Sequence, residues 1–210
     1  MSRYIDIEGT INFRDVGGYP GESGQVTNWG KLFRAGSLHN LSEASIGRLH
    51  ELGLKTVIDL RTVREVTEKP DIIDGYAYHS LPVVDPEQEK ILAKSNQLTE
   101  HYRFMLENTQ PRLKLVFEQL ANLENGPVLV HCAAGKDRTG LVIALVLGNA
   151  GVPDETIIED YAMSDRYLDG FYKAAYEAAR QKGYNIERFS NVLNSNSEIY
   201  ESVMGILKAI

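Results

Sequence analysis

Apolar residues along this chain fall into short blocks parted by polar, glycine-rich joints, and the blocks follow two different periods. LKTVIDL (Leu54–Leu60) and VLVH (Val128–His131) are short apolar runs of strand length, and YAYHSLPV (Tyr76–Val83) alternates as a strand does. A further strand is expected near Lys31–Arg34, after a small hairpin or irregular lead-in rich in glycine. Helical spacing returns in EASIGRLHELG, which Ser42 is placed to cap and Gly53 to end. TVREVTEK predicts a short helix stopped by Pro70, and residues from Pro86 to Glu124 read as mostly helical with a break near NTQPR. DRTGLVIALVLGNAG predicts the helix after VLVH, and the chain beyond it reads as helical, interrupted around Gly151–Pro153 and Gly183. In that last part Tyr172, Tyr176 and Ala179 share one helix face, the pattern of a packed surface. Strands alternating with helices predict an α/β fold: a central, mainly parallel sheet of four to five strands with helices on both faces. We expect one domain over residues 1–210, with the carboxy-terminal helices from about residue 152 packed on it.

Composition narrows the function. At 210 residues and 43% apolar content there is ample material for a core. A net charge of −7 speaks against a nucleic-acid binder, which would carry a basic face. The longest apolar run, Leu141–Leu147, is too short to span a bilayer, and the opening MSRYIDIEGT lacks the apolar core of a signal peptide. A single cysteine points to a reducing compartment, so a cytoplasmic location is expected, with export by another route left open. His39, His50, His79 and His101 show no paired ligand spacing, so neither a metal nor another cofactor is expected.

That one cysteine, Cys132, sits where a strand feeds a helix through CAAGKDR. The first amides of a helix have no intrahelical partner, and the helix dipole adds about half a positive charge there. Ala133, Ala134 and Gly135 are small enough for close backbone approach, and Lys136, Asp137 and Arg138 complete the turn. Such a loop is an anion cradle. Arg138 offers a planar fork that fits two oxygens of a phosphate. The same setting is expected to lower the thiol pKa of Cys132 from its free value of about 8.5. A nucleophile beside a site for a tetrahedral dianion implies thiolate attack on a phosphate ester through a phosphocysteine intermediate. A P-loop kinase reading fails, because position 130 is Val and Asp137 stands where Ser or Thr should follow the lysine.

His131-Cys132, five residues, then Arg138-Thr139 resembles the signature of the cysteine-dependent protein tyrosine phosphatase superfamily. NFRDVGGY (Asn12–Tyr19), LFRAGSL (Leu32–Leu38) and VIDLRTVREV (Val57–Val66), with HCAAGKDRTG, are similar to an atypical bacterial and fungal branch of it. The resemblance implies that the loop amides and Arg138 hold phosphate, that Thr139 assists the sulfur as leaving group, and that His131 supports the cysteine. It also implies a phosphorylated protein as partner, phosphotyrosine first with dual specificity open, or alternatively a phosphoinositide, for which Lys136 would favour the more anionic head group.

The leaving oxygen needs a proton donor. Asp85, at a strand exit in LPVVD, is the favoured residue and Asp137, inside the loop, the rival; Asp-Pro-Glu is equally a good helix start. Asp59 is expected to join Arg61 in a structural network. Arg14, Arg34, Arg61 and Arg64 are expected mainly to anchor loops through carboxylates. Two other functions compete: a rhodanese-like sulfurtransferase, which has no need of Arg138 and Thr139, and a catalytically silent phosphate-binding module, which has no need of Cys132.

Overall fold

A computed structural model describes residues 2–95, 97–121, 126–181, 183 and 205. Strand β5 (Val128–His131) is buried at all four positions, which is why it reads as an unbroken apolar run rather than an alternation. It lies at the centre of a five-stranded sheet of order β1-β2-β5-β3-β4. Its neighbours β2 (Leu32–Ala35) and β3 (Thr56–Asp59) both run parallel to it. β4 (Ala77–Ser80) extends the sheet in parallel beside β3, and the two-residue β1 (Arg14–Asp15) pairs antiparallel with β2. The sheet is therefore mixed and mostly parallel, as the alternation of elements implies. β4 is shorter than the alternation in YAYHSLPV suggests, and three of its four residues are exposed. It is an edge strand, and it ends before Pro82, which has no N–H to give to a ladder.

Successive strand residues face opposite sides, and each side is covered. Leu32, Ile58, Val128 and Val130 share one cluster with α4 (Leu98–Asn108), α5 (Gln110–Leu120), α6 (Asp137–Asn149) and α7 (Asp154–Ala162). Phe33, Ala35, Val57 and Leu129 pack on the other side against Leu49 of α1 (Glu43–Glu51) and against Leu38, Leu41 and Leu54. Local chemistry sets the helix starts. Ser42 accepts the Ser45 amide at the head of α1. Thr62 and Glu65 form a capping box on α2 (Val63–Glu68), and Asp85 and Gln88 form one on α3 (Pro86–Leu92). α4 and α5 meet at Thr109, where the break was expected.

A 3-10 helix (Met163–Tyr167) leads into α8 (Asp169–Gln181), in which Ala179 is buried and Tyr172 and Tyr176 are half-buried, the face the spacing predicts. The helices expected beyond Gly183 lie outside the described residues. No helix among the described residues is long and apolar enough to cross a membrane. Ala35 and Asp59 both pair in register with His131. The carboxyl ends of three adjacent strands thus meet where β5 gives way to the CAAGK turn, the ligand edge of an open α/β sheet.

Candidate active site

Cys132 leaves β5 and is 2% exposed. The turn that follows reaches α6 with Lys136 in the capping position. Gly135 has φ +68, and a Cβ there would lie 2.3 Å from the Ala35 carbonyl oxygen, so only glycine lets the turn rest on the end of β2. The carbonyls of the turn are engaged from outside. Ala133 O accepts from the Ser37 amide at 3.0 Å. Ala134 O and Gly135 O accept from Asn12 Nδ2 at 3.1 and 3.0 Å, and Gly135 O also accepts from Arg34 Nη2 at 2.7 Å. In a trans peptide the N–H points opposite to the C=O. The amides of Ala134, Gly135 and Lys136 are therefore turned away from Ser37, Asn12 and Arg34, toward the inside of the turn. With the amino end of α6, this geometry makes a cradle for an anion.

Arg138 Nη1 and Nη2 donate to the two oxygens of Glu65 at 2.5 and 2.8 Å. That bidentate pair uses one edge of the guanidinium and points the Nε–Nη2 edge elsewhere, the second edge being the one a phosphate would take. Burial alone would raise the Glu65 pKa, but the bond and charge of Arg138 outweigh it and hold the carboxyl down at about 2. Sequence reasoning missed Glu65, although Thr62-Val-Arg-Glu65 has capping-box spacing. A lowered carboxyl pKa contributes stability that is complete above its ordinary value near 4.5 and is lost as pH falls from there toward about 2. Glu65→Gln should therefore flatten the fall in melting temperature across that window; an unchanged acid limb in thermal scans would refute the coupling.

Below the cradle, His131 is fully buried, with Nε2 3.2 Å from Asp71 and 3.8 Å from Asp59. These three could in principle face one metal ion, the one such group among the described residues. However, Arg61 Nη2 already lies 2.7 Å from an oxygen of each carboxylate, so a guanidinium supplies the cation. Asp59 and Arg61 thus form the structural network expected of them. Arg14 and Arg34 pair with Asp160, and Arg64 with Glu89 and Glu68, the anchoring role expected of the arginines.

The two acid candidates sit in different settings. Asp85 is the N-cap of α3: its Oδ1 accepts from the amides of Gln88 and Glu87, and Oδ2 lies 3.3 Å from Arg112. The Gln88 amide first, then Arg112 and the Glu87 amide, lower its pKa against an opposing desolvation. The helix-start signal in Asp-Pro-Glu describes this residue, and the expected swing over a bound ester would have to break that cap. Asp137 opens α6 directly after the cradle, and its Oδ1 accepts from Tyr161 at 2.8 Å and Tyr102 at 3.1 Å. Burial first, and the Asp137 charge next, keep both tyrosines far above their ordinary pKa, so they remain donors. Asp137 and Arg138 line a cavity of about 220 Å³ with Glu65, Thr62 and His101; Val84 and Glu89 also line it, while Asp85 and Cys132 are outside its lining. A larger cavity of about 520 Å³ is also lined by Glu65, with Ala133, Ser37, Tyr167 and Phe171 in its walls.

Two further loop residues differ in setting from a simple surface loop. Lys136 is 2% exposed, and its ammonium meets Tyr172 OH at 2.7 Å and Asp165 Oδ1 at 3.1 Å. It braces the 3-10 helix and α8 against the cradle. Thr139 is fully buried, and its Oγ1 has no hydrogen-bond partner among the described residues. An unused buried hydroxyl costs about 1–3 kcal/mol.

Residues 5–209 match the tyrosine phosphatase family. A tyrosine-protein phosphatase of Nostoc commune is 38% identical over 153 residues, which cover 70% of this chain and 52% of that protein, so the chain spans about half the length of this relative. The triple specificity protein phosphatase PtpB of Mycobacterium tuberculosis is 30% identical over 237 residues, covering 96% of this chain and 83% of that protein. Among solved structures, TpbA of P. aeruginosa aligns with a TM-score of 0.42 at 17% identity, covering 80% of this chain and 90% of that one. By a match that takes in the sheet, the Cys132–Arg138 turn and the helices around it, the chain belongs to the tyrosine phosphatase family, as an atypical cysteine-based member related to PtpB-type proteins.

Proposed function

We propose that this protein hydrolyses phosphate monoesters, phosphotyrosine on proteins first among them, through a phosphocysteine intermediate on Cys132. One observation carries the reading: the carbonyls of the turn are held outward while Cys132 and Arg138 stand at its two ends, so a tetrahedral anion has inward amides, a guanidinium edge and a sulfur around it. In the first step the thiolate attacks phosphorus, the P–O bond to the leaving group breaks, and that oxygen takes a proton from the carboxyl group of an aspartic acid in the site. In the second step water attacks phosphorus, gives its proton to the same carboxylate, and the S–P bond breaks to release inorganic phosphate and restore the thiolate. Thr139 Oγ1, buried without a partner, is available to donate to the sulfur as it leaves.

Asp137 suits the proton donor better than Asp85. It adjoins the cradle in sequence and lines a cavity with Arg138. Its two tyrosine donors both meet Oδ1, so Oδ2 is the oxygen to carry the proton, whereas both oxygens of Asp85 are engaged, by the α3 amides and by Arg112. Asp137→Asn should lower kcat on the order of 10²–10⁴-fold for alkyl and phenyl esters, with a smaller loss for an activated ester. Asp85→Asn should leave that leaving-group dependence unchanged, because asparagine still caps a helix. Reversal of the two results would return the role to Asp85.

The relatives' names support a protein substrate, one of them with broad specificity. The setting of Lys136 supports the same choice over a phosphoinositide, since its charge is already shared with Asp165 and Tyr172. Initial rates on a phosphotyrosine peptide, a phosphoserine peptide and a short-chain phosphoinositide test this ranking. Phosphotyrosine should lead by kcat/KM; a lead for the phosphoinositide would make the lipid reading the better one, and release from none would end the phosphatase reading.

A further inference from the structure

Asn12 is fully buried and has φ +59, the one non-glycine left-handed residue among the described ones. Asparagine tolerates that region better than most residues, but a strained buried backbone calls for a reason. Its side chain supplies one. Arg14 Nη1 can only donate, so it fixes Oδ1 of Asn12 as the acceptor facing it. The NH2 end is thereby aimed at Ala134 O and Gly135 O, more than a hundred residues away in the chain.

Arg34 does the same from β2. It is fully buried, Nη1 is pinned on Asp160 Oδ2, and Nη2 reaches Gly135 O at 2.7 Å and Lys136 O at 3.5 Å. An arginine that served only as a core anchor would satisfy itself on Asp160. This one gives its second prong to the outer side of the peptides whose inner side forms the cradle. A donor on a peptide C=O polarises the N–H of the same peptide and fixes its direction. Amides aimed before the anion arrives need no reorganisation when it does.

We propose that Asn12 and Arg34 are positioning residues for phosphoryl binding: by clamping the outer carbonyls of Ala134 and Gly135 they pre-aim the amides of Gly135 and Lys136 at the substrate's phosphate. The inference rests on the phosphatase reading of the loop. It assigns part of the substrate affinity to two residues whose hydrogen bonds reach the turn through its carbonyls.

The test compares Arg34→Lys and Asn12→Asp with Tyr19→Phe. The lysine keeps the charge but not the second prong. The aspartate keeps the acceptor for Arg14 and loses the donor. Tyr19→Phe removes a 2.7 Å bond to the same Asp160 without touching the loop. Inorganic phosphate is the probe, read as its inhibition constant against p-nitrophenyl phosphate and as the phosphate-induced NMR shift of the Gly135 amide. Arg34→Lys and Asn12→Asp should each weaken phosphate on the order of ten-fold, about 1.4 kcal/mol, and shrink that amide shift. Tyr19→Phe should lower the melting temperature and leave both readouts unchanged. Where Asn12→Asp does not fold, Asn12→Gly keeps the left-handed backbone and removes the donor. Unchanged phosphate affinity in the loop-clamp variants, with losses in melting temperature only, would overturn the inference. If the unaltered protein neither binds phosphate nor turns over p-nitrophenyl phosphate, the phosphatase reading itself fails, a result separate from that one.

Discussion

Cys132→Ser is expected to abolish turnover, by about 10⁴-fold or more, while phosphate binding and the fold survive. A serine hydroxyl remains protonated at neutral pH and is a far weaker nucleophile than a thiolate. Losses of this size are typical when the attacking atom is removed and the rest of a site is left to work alone. The change is nearly isosteric, and Cys132 contributes to the core only at the end of a strand whose packing rests on Val128, Leu129 and Val130. The cradle amides and Arg138 are untouched, so inorganic phosphate should bind the variant about as well as the original. Steady-state rates with p-nitrophenyl phosphate, alongside phosphate binding by calorimetry, give both numbers. More than a trace of residual turnover would remove Cys132 from the role of nucleophile.

Arg138→Lys should be nearly as damaging, with kcat/KM down on the order of 10²–10³-fold, the usual cost of losing a donor aimed at developing negative charge. Arg138 meets Glu65 with one edge of its fork, two bonds at 2.5 and 2.8 Å that orient the whole guanidinium. An ammonium can hold Glu65 or the phosphate as a point charge, but it cannot present two parallel donors to each. Glu65→Gln should fall between the original and Arg138→Lys, since Arg138 would keep its charge and lose its brace. Near-normal kinetics in Arg138→Lys would count against the cradle as the binding site for the phosphoryl group.

The parts of this site that could be read from the sequence are those whose residues are neighbours in the chain. VLVH, the small residues of CAAGK and the helix that follows form one continuous strand–turn–helix, so Cys132, Arg138 and the cradle between them were visible as a unit. The alternation of elements likewise implied the parallel sheet and its helical layers. The contacts that hold the cradle were not visible, although Arg34 was legible as an anchor for a carboxylate. Asn12, Arg34 and Glu65 lie 123, 101 and 73 residues from their partners in or beside the loop. No local spacing encodes such contacts, and a buried arginine looks in a sequence like a surface one. Asp85 is the opposite case: the local signal in Asp-Pro-Glu reads correctly as a helix cap, but its second partner, Arg112, lies 27 residues on and is invisible locally. Lys136 was legible as a cation in the loop; its partners Asp165 and Tyr172 come from a helical layer packed on afterwards, so its orientation was not.

The central claim is a covalent phosphate on one sulfur. Rapid acid quench of the protein with excess p-nitrophenyl phosphate, followed by intact-mass and peptide mass spectrometry, tests it most directly. The account predicts a burst of p-nitrophenol that tracks an added phosphoryl group on the peptide containing Cys132, absent in Cys132→Ser and accumulating in Thr139→Val, where release of the sulfur is slowed. Steady turnover with no phosphorylated Cys132 peptide at any quench time, in either the original protein or Thr139→Val, would contradict it.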